Sequence, residues 1–356
     1  IMLAYVISAM FDINWFFYGM ELFKLTVVRN IAIKLGSTVA VFILVRDRGS
    51  VWIYAAIIVG SILISQLSLW PFLNNYIIFK KPSIRNIIKH MNPNLILFIP
   101  AIAISIYKLM DKIMLGLISN SSEVGYYEAA EKLIQIPNTL VVSLGTVMLP
   151  RMSNLMAGVK TERINEYMKK TLQVALLISI PMSFGIMATA NQIVPIFFGQ
   201  GYETCIILLQ FLMPSCIFVA FANVIRTEYL IPKHYDSIYI QSVFIGAALN
   251  FITNWILIRF IGATGAAVGT LIAECSVCVY QLFRVRKEIE IKNFIKIFIK
   301  IFFAGCVMLT VVNYFQFNNF NIYLSLIVRV LLGIVIFCGI IAIQKMFEIK
   351  FRKREQ

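Results

Sequence analysis

TLQVALLISIPMSFGIMATA, Thr171–Ala190, is twenty residues long and carries no charge. At the α-helical rise of about 1.5 Å per residue it reaches across a hydrocarbon core of about 30 Å. Lys169 and Lys170 precede it and Asn191 follows, so polar residues mark both ends. The pattern recurs along the whole chain. Of its 356 residues, 60% are hydrophobic and 14% charged, and the mean hydropathy is +0.84. A soluble domain is about 45–50% apolar and about 25% charged. That balance excludes a soluble enzyme, a disordered chain and a secreted disulfide scaffold.

Reading outward from Thr171–Ala190, eleven stretches are long and apolar enough to span a bilayer: 1–20, 27–45, 51–71, 93–117, 124–149, 169–190, 203–226, 237–260, 263–284, 295–315 and 322–346. None alternates as a transmembrane β-strand does, so the fold class expected is an all-α polytopic membrane protein of about eleven helices. With the C-terminal tail placed inside, the inside loops hold 25 Lys and Arg and the outside loops only Arg46, Arg48 and Arg259. Basic residues flanking spans stay on the cytoplasmic side. The expected orientation therefore has the C-terminus on the cytoplasmic side. The net charge of +15 then needs no nucleic acid. Eleven is odd and the chain opens inside an apolar run, IMLAYVISAM, so the expectation is that preceding spans are missing.

The loops are too short for a catalytic domain, which argues against a membrane polymerase of glycans. His90 and His234 lie far apart in basic loops, and Cys275 and Cys278 form CxxC inside a span. Neither set suits a metal or redox site, which needs a polar and reachable setting. No cofactor is expected. Gly265 and Gly269 form GxxxG, which permits close helix packing.

Charge inside a membrane is costly and marks candidate function. The fourth span carries Lys108, Asp111 and Lys112, and the fifth carries Glu128, Glu131 and Lys132. Spacings of three and four residues put each set on one helical face. The two sets either pair to lock the hairpin or line a polar cavity, the lysines then meeting an anionic head group. Asp12, Glu274 and Arg329 are weaker candidates, because a lone charge can snorkel to the interface. Pro100, Pro137, Pro181 and Pro214 fall in four consecutive spans; a proline in a helix interior kinks it, as suits a transporter lobe that bends. Lys292, Lys296 and Lys300 form a basic stripe suited to anionic lipid.

Four strings carry a resemblance: FDINWFFYGMELFKLTVVRN (Phe11–Asn30), ISIYKLMDKIMLG (Ile104–Gly116), VGYYEAAEKLIQIPNTLVVSLGTVMLPRMS (Val124–Ser153) and IGATGAAVGTLIAE (Ile261–Glu274). They resemble the fourth, seventh, eighth and twelfth spans of bacterial polysaccharide or O-antigen repeat-unit flippases. These are the Wzx-type members of the multidrug/oligosaccharidyl-lipid/polysaccharide exporter superfamily. That family has fourteen spans in two six-helix lobes plus a terminal pair, so the resemblance is to the last eleven. It implies that 1–80 is the back half of the first lobe, 90–287 the complete second lobe, and 292–356 the terminal pair and basic tail.

The resemblance implies flipping of an undecaprenyl-diphosphate-linked oligosaccharide by alternating access, in surface polysaccharide synthesis (O-antigen, capsule or exopolysaccharide). It also implies an ion gradient, of protons or sodium, and makes a polymerase of the same pathway a candidate partner. Lys108, Lys112 and Lys132 are then candidate cations for the diphosphate. Asp111, Glu128 and Glu131 are candidate coupling or positioning carboxylates. An ion-coupled multidrug antiporter of the same superfamily, or an inactive fragment or scaffold, are the alternatives.

Overall fold

The computed structural model describes residues 2–20, 22–78, 83–89, 91, 109–157, 161–315 and 321–355. Among the described residues every regular element is helical. Two compact units, 1–95 and 96–356, divide the chain.

In the first unit, α1 (Met2–Ala9) and α2 (Asn14–Gly19) precede α3 (Phe23–Leu44), α4 (Val51–Leu67) and the short α5 (Trp70–Leu73). A small core of Phe17, Leu69 and Leu73 forms between them. Most large apolar side chains of α3 and α4 point outward, among them Phe42 and Trp52, as expected of helices whose solvent is lipid. The polar contacts are few and joined. The Arg29 guanidinium donates to the Ser65 carbonyl at 2.7 Å and to the Asn14 side chain at 2.9 Å. Arg29 lies within α3.

The second unit holds α6 (109–118), α7 (Ser121–Ala157), α8 (Thr161–Phe198), α9 (Thr204–Leu212), α10 (Ser215–Ile225), a π-helical turn (Arg226–Leu230), α11 (Asp236–Val285), α12 (Ile291–Tyr314) and α13 (Ile322–Glu355). Pro214 separates α9 from α10, whereas Pro137 and Pro181 sit inside continuous helices. Pro100 lies outside the described residues. Two buried clusters fill the unit. One is centred on Met168, Leu172, Leu176 and Ile180 of α8; the other joins Leu115, Ala130, Leu208 and Ala266. The first cluster extends to Ile301, Met308 and Phe337, so α12 and α13 share the core of the helices before them.

Among the described residues, eight helices are long and apolar enough to cross a membrane. The count rises when α11 is read correctly. Its backbone leaves helical geometry at Ile261 and Gly262, where Gly262 has φ of 55°. Tyr280 on one side of the bend reaches Gln241 on the other, and Gln281 reaches Ser242. The 50-residue helix is thus an antiparallel hairpin of two spans, at the division read from sequence. A further apolar segment, Leu3–Phe17, which runs through α1 into α2, is shorter. The expected span at 93–117 is described only from 109 onward.

Candidate functional site

Asp111 is the centre of the second unit. Its side chain is buried, and four donors from three other segments converge on it. The Tyr127 hydroxyl of α7 donates at 2.6 Å and the Thr270 hydroxyl of the second half of α11 at 2.8 Å. From the first half of α11, the amides of Asn250 and Asn254 donate at 2.9 Å and 2.6 Å. Asn250 and Asn254 are four residues apart, hence on one helical face. Charge-assisted hydrogen bonds of this kind are about twice as strong as neutral ones, so one carboxylate clamps α6, α7 and both arms of the α11 hairpin. The Oδ1 atom of Asn254 is buried and has no hydrogen-bond partner.

Next to this cage opens a cavity of about 490 Å³. Asp111, Glu131, Asn138, Asn250, Thr270 and Glu274 are among its walls, and so is Arg226. The guanidinium of Arg226 donates to the Asn223 side chain at 2.7 Å and lies 5.6 Å from the centre of the Tyr239 ring. Among the described residues no carboxylate pairs with it. Asn223 is itself fixed, its amide donating to the Val141 carbonyl at 3.1 Å. The cavity therefore offers one positioned guanidinium beside carboxylates, amides and hydroxyls, a lining suited to a polar solute.

The sequence candidates separate on this geometry. Asp111, Glu131 and Glu274 line the cavity. Lys112 forms a 2.7 Å ion pair with Glu131, tying α6 to α7. Lys132 pairs with Glu128 at 3.9 Å on an exposed face of α7, and neither is among the cavity walls. Lys108 lies outside the described residues. Arg329 is buried and donates to the Ala188 carbonyl of α8 at 3.3 Å, which ties α13 to the lobe. Asp12 accepts from the backbone and side chain of Asn14 at the start of α2. Arg226, the last residue of the expected span 203–226, is part of the cavity wall, and the span continues beyond it as a π-helix. Tyr127, Asn250, Asn254 and Thr270 were not singled out from sequence. The only signal available was the four-residue spacing of the asparagines.

At the end of the unit that carries the π-turn, Glu288 accepts from Tyr229 at 2.7 Å and from Lys233 at 3.0 Å. The Tyr229 hydroxyl is the main cause that holds the Glu288 carboxyl below its ordinary range; partial burial opposes it and Lys233 assists. For Lys233, burial pulls the ammonium down, but its bonds to Tyr229 and Glu288 outweigh this and raise it.

These features define an all-α polytopic membrane protein with a charged cavity inside one lobe, the architecture of a transporter. Residues 1–156 match the family described as "Polysaccharide biosynthesis protein". The chain is 24% identical over 284 residues to a protein of Shigella dysenteriae named "Putative O-antigen transporter", covering 77% of this chain and 69% of that one. A protein of the same name from Escherichia coli (strain K12) is 24% identical over 276 residues, with 77% and 66% covered. Among solved structures, "Lipid II flippase MurJ, inward closed conformation" superposes with a TM-score of 0.68 at 21% identity, covering 84% of this chain and 64% of that chain. The chain thus spans about two thirds of the length of these relatives. It is similar to proteins named as O-antigen transporters, in keeping with the resemblance its sequence carries, and these relatives are transporters rather than enzymes.

Proposed function

We propose that the chain moves a polyprenyl-diphosphate-linked oligosaccharide across the cytoplasmic membrane of a bacterium, in surface polysaccharide synthesis. The observation that carries this reading is the cavity: a guanidinium without a carboxylate partner among the described residues faces a space walled by amides, hydroxyls and carboxylates. Arg226 engages the diphosphate, since a guanidinium presents its donors in a fork that matches phosphate oxygens. Asn138, Gln135 and Glu131 accept and donate to the sugar hydroxyls. Lys112 positions Glu131 rather than binding substrate. Residues 90–287 form one complete lobe, 1–80 part of the other, and 292–356 the terminal helix pair and basic tail.

Asp111 is the coupling group. Its two oxygens, the partnerless Oδ1 of Asn254 and the Thr270 hydroxyl supply the hard oxygen donors that a small cation prefers. A proton on Asp111 would equally break the cage, because an acid accepts fewer hydrogen bonds than a carboxylate. The two ions separate by measurement: a thermal shift with sodium and none with choline assigns sodium.

The test is a flipping assay with the full chain in liposomes, using an undecaprenyl-diphosphate-linked oligosaccharide with a fluorescent tag and an impermeant quencher. Flipping above protein-free vesicles is expected. Arg226→Gln should cut the rate about tenfold or more, the value of one charge-assisted hydrogen bond, and Arg226→Lys should recover part of it. A rate equal to protein-free vesicles overturns the function; full activity in Arg226→Gln overturns the assignment of Arg226 alone.

A further inference from the structure

The π-helical turn Arg226–Leu230 has three residues facing three environments. Arg226 lines the central cavity. Tyr229 lines a second cavity of about 640 Å³, together with Ser153, Asn165, His234 and Glu288. Between them Glu228 is fully enclosed, at 0% exposure. Neither of its carboxyl oxygens has a hydrogen-bond partner. The Thr171 hydroxyl on α8 is a neighbouring side chain placed to donate to it, at the margin of hydrogen-bonding geometry.

Charges on the surrounding elements are engaged elsewhere or, like Lys169 of α8, lie exposed. On α7, Arg151 bonds Tyr167; on α8, Lys170 pairs with Glu166. On α11, Arg284 bonds Tyr280, and Lys233 pairs with Glu288. Arg226, two residues before Glu228, turns to Asn223 and Tyr239. A carboxylate in such a site would forfeit its hydration with at most the Thr171 hydroxyl and no cation in return, which costs several kcal/mol. The group enclosed here is therefore the neutral acid. Even the acid leaves polar atoms unsatisfied, a condition tolerated in native proteins where a second arrangement relieves it. A π-turn, which carries one residue more than the α-helix beside it, is a frequent site of such rearrangement.

We propose that Glu228 is a proton-binding site that holds the turn between the two cavities closed. With the proton bound, Glu228 stays in the core and Arg226 and Tyr229 keep their places on either side. When the proton passes from the carboxyl to water, the carboxylate must leave the core. The turn then rotates toward one of the cavities, carrying Arg226 and Tyr229 with it. This site is separate from the Asp111 cage, and its existence depends on no particular glycolipid.

The experiment uses the purified full chain in lipid nanodiscs without substrate. Infrared difference spectra across a pH titration should show the carbonyl band of a protonated carboxyl in the wild type, absent from Glu228→Gln. Thr171→Val should retain that band at a shifted frequency, which covers the case in which Glu228→Gln fails to fold. Amide hydrogen exchange of Arg226–Leu230, taken as the ratio of wild type to Glu228→Gln at each pH, should rise as the band disappears. Identical infrared spectra of the wild type and Glu228→Gln, or no frequency shift in Thr171→Val, overturn the proton site. An exchange ratio that is flat with pH overturns the moving turn. Because no flipping is measured, these outcomes stand whatever the liposome assay shows.

Discussion

Asp111 and Asn254 stand 143 residues apart in the chain and 2.6 Å apart in space. Their contact closes a cage that also takes in Tyr127, Asn250 and Thr270. The carboxylate is the shared acceptor, so its removal orphans several donors at once. Asp111→Leu should destabilise the protein by at least one orphaned-donor penalty, about 1–3 kcal/mol. Asp111→Asn should cost less, because one amide oxygen still accepts. The two unfolding midpoints in detergent, compared with wild type, check the order. Equal midpoints for all three proteins would show that the cage contributes nothing to stability.

Lys132 was an attractive cation in the sequence and is a poor one in the structure. It lies exposed on α7 with Glu128 four residues away. An exposed pair of that spacing contributes about 0.3–0.5 kcal/mol. Lys132→Ala should therefore leave the midpoint nearly unchanged and preserve flipping in liposomes, in contrast to Arg226→Gln. Loss of flipping in Lys132→Ala, with normal insertion and folding, would return this residue to the substrate path.

The contrast between Lys132 and Arg226 shows where sequence reading stopped. Helices were legible because lipid demands about twenty apolar residues whatever lies around them, and even the hairpin within α11 was divided at the right place. Asp111 was legible because charge within a span is rare. Its partners were not, since Asn250, Asn254 and Thr270 are neutral and could occupy any face. The ion pair of Lys112 and Glu131 accords with the hairpin-lock alternative weighed from spacing. Arg226 and Glu228 were missed for another reason: charged residues at the end of an apolar run read as the start of a loop, whereas here the helix runs on for a further turn.

Gly265 sets the closeness of the α11 hairpin. A methyl group built there would lie 2.5 Å from the Leu257 carbonyl carbon and 2.7 Å from its oxygen, both backbone atoms with no freedom to yield. The turn beside it is tied down as well, the Ala263 N–H donating to the Glu123 carboxylate at 2.7 Å. Gly265→Ala should cost about 1–3 kcal/mol, the usual penalty of overpacking. Gly185→Ala is the control, because nothing lies within 4 Å of the added carbon and alanine favours a helix interior by about 1 kcal/mol. A falling midpoint for the first and an unchanged or rising one for the second is the expected pattern; matching midpoints would contradict the close approach.

The cluster of Tyr229, Lys233, Tyr235 and Glu288 predicts a pH window. Glu288 is held below the ordinary glutamate value of about 4.3, chiefly by the Tyr229 hydroxyl. Its contribution to stability is complete above that value and is lost as pH falls through the lowered one. Lys233 is raised above the ordinary value of about 10.4 by its bonds to Tyr229 and Glu288, against burial. Its contribution is complete below that value and is lost as pH rises through the raised one. Between the two limits the cluster should add a constant increment to the unfolding midpoint. Glu288→Gln should lower that plateau and bring its midpoint to the wild-type value at the acid end, where Glu288 is protonated in both folded and unfolded chains. A constant offset between the two proteins down to the lowest pH measured would contradict the lowered carboxyl.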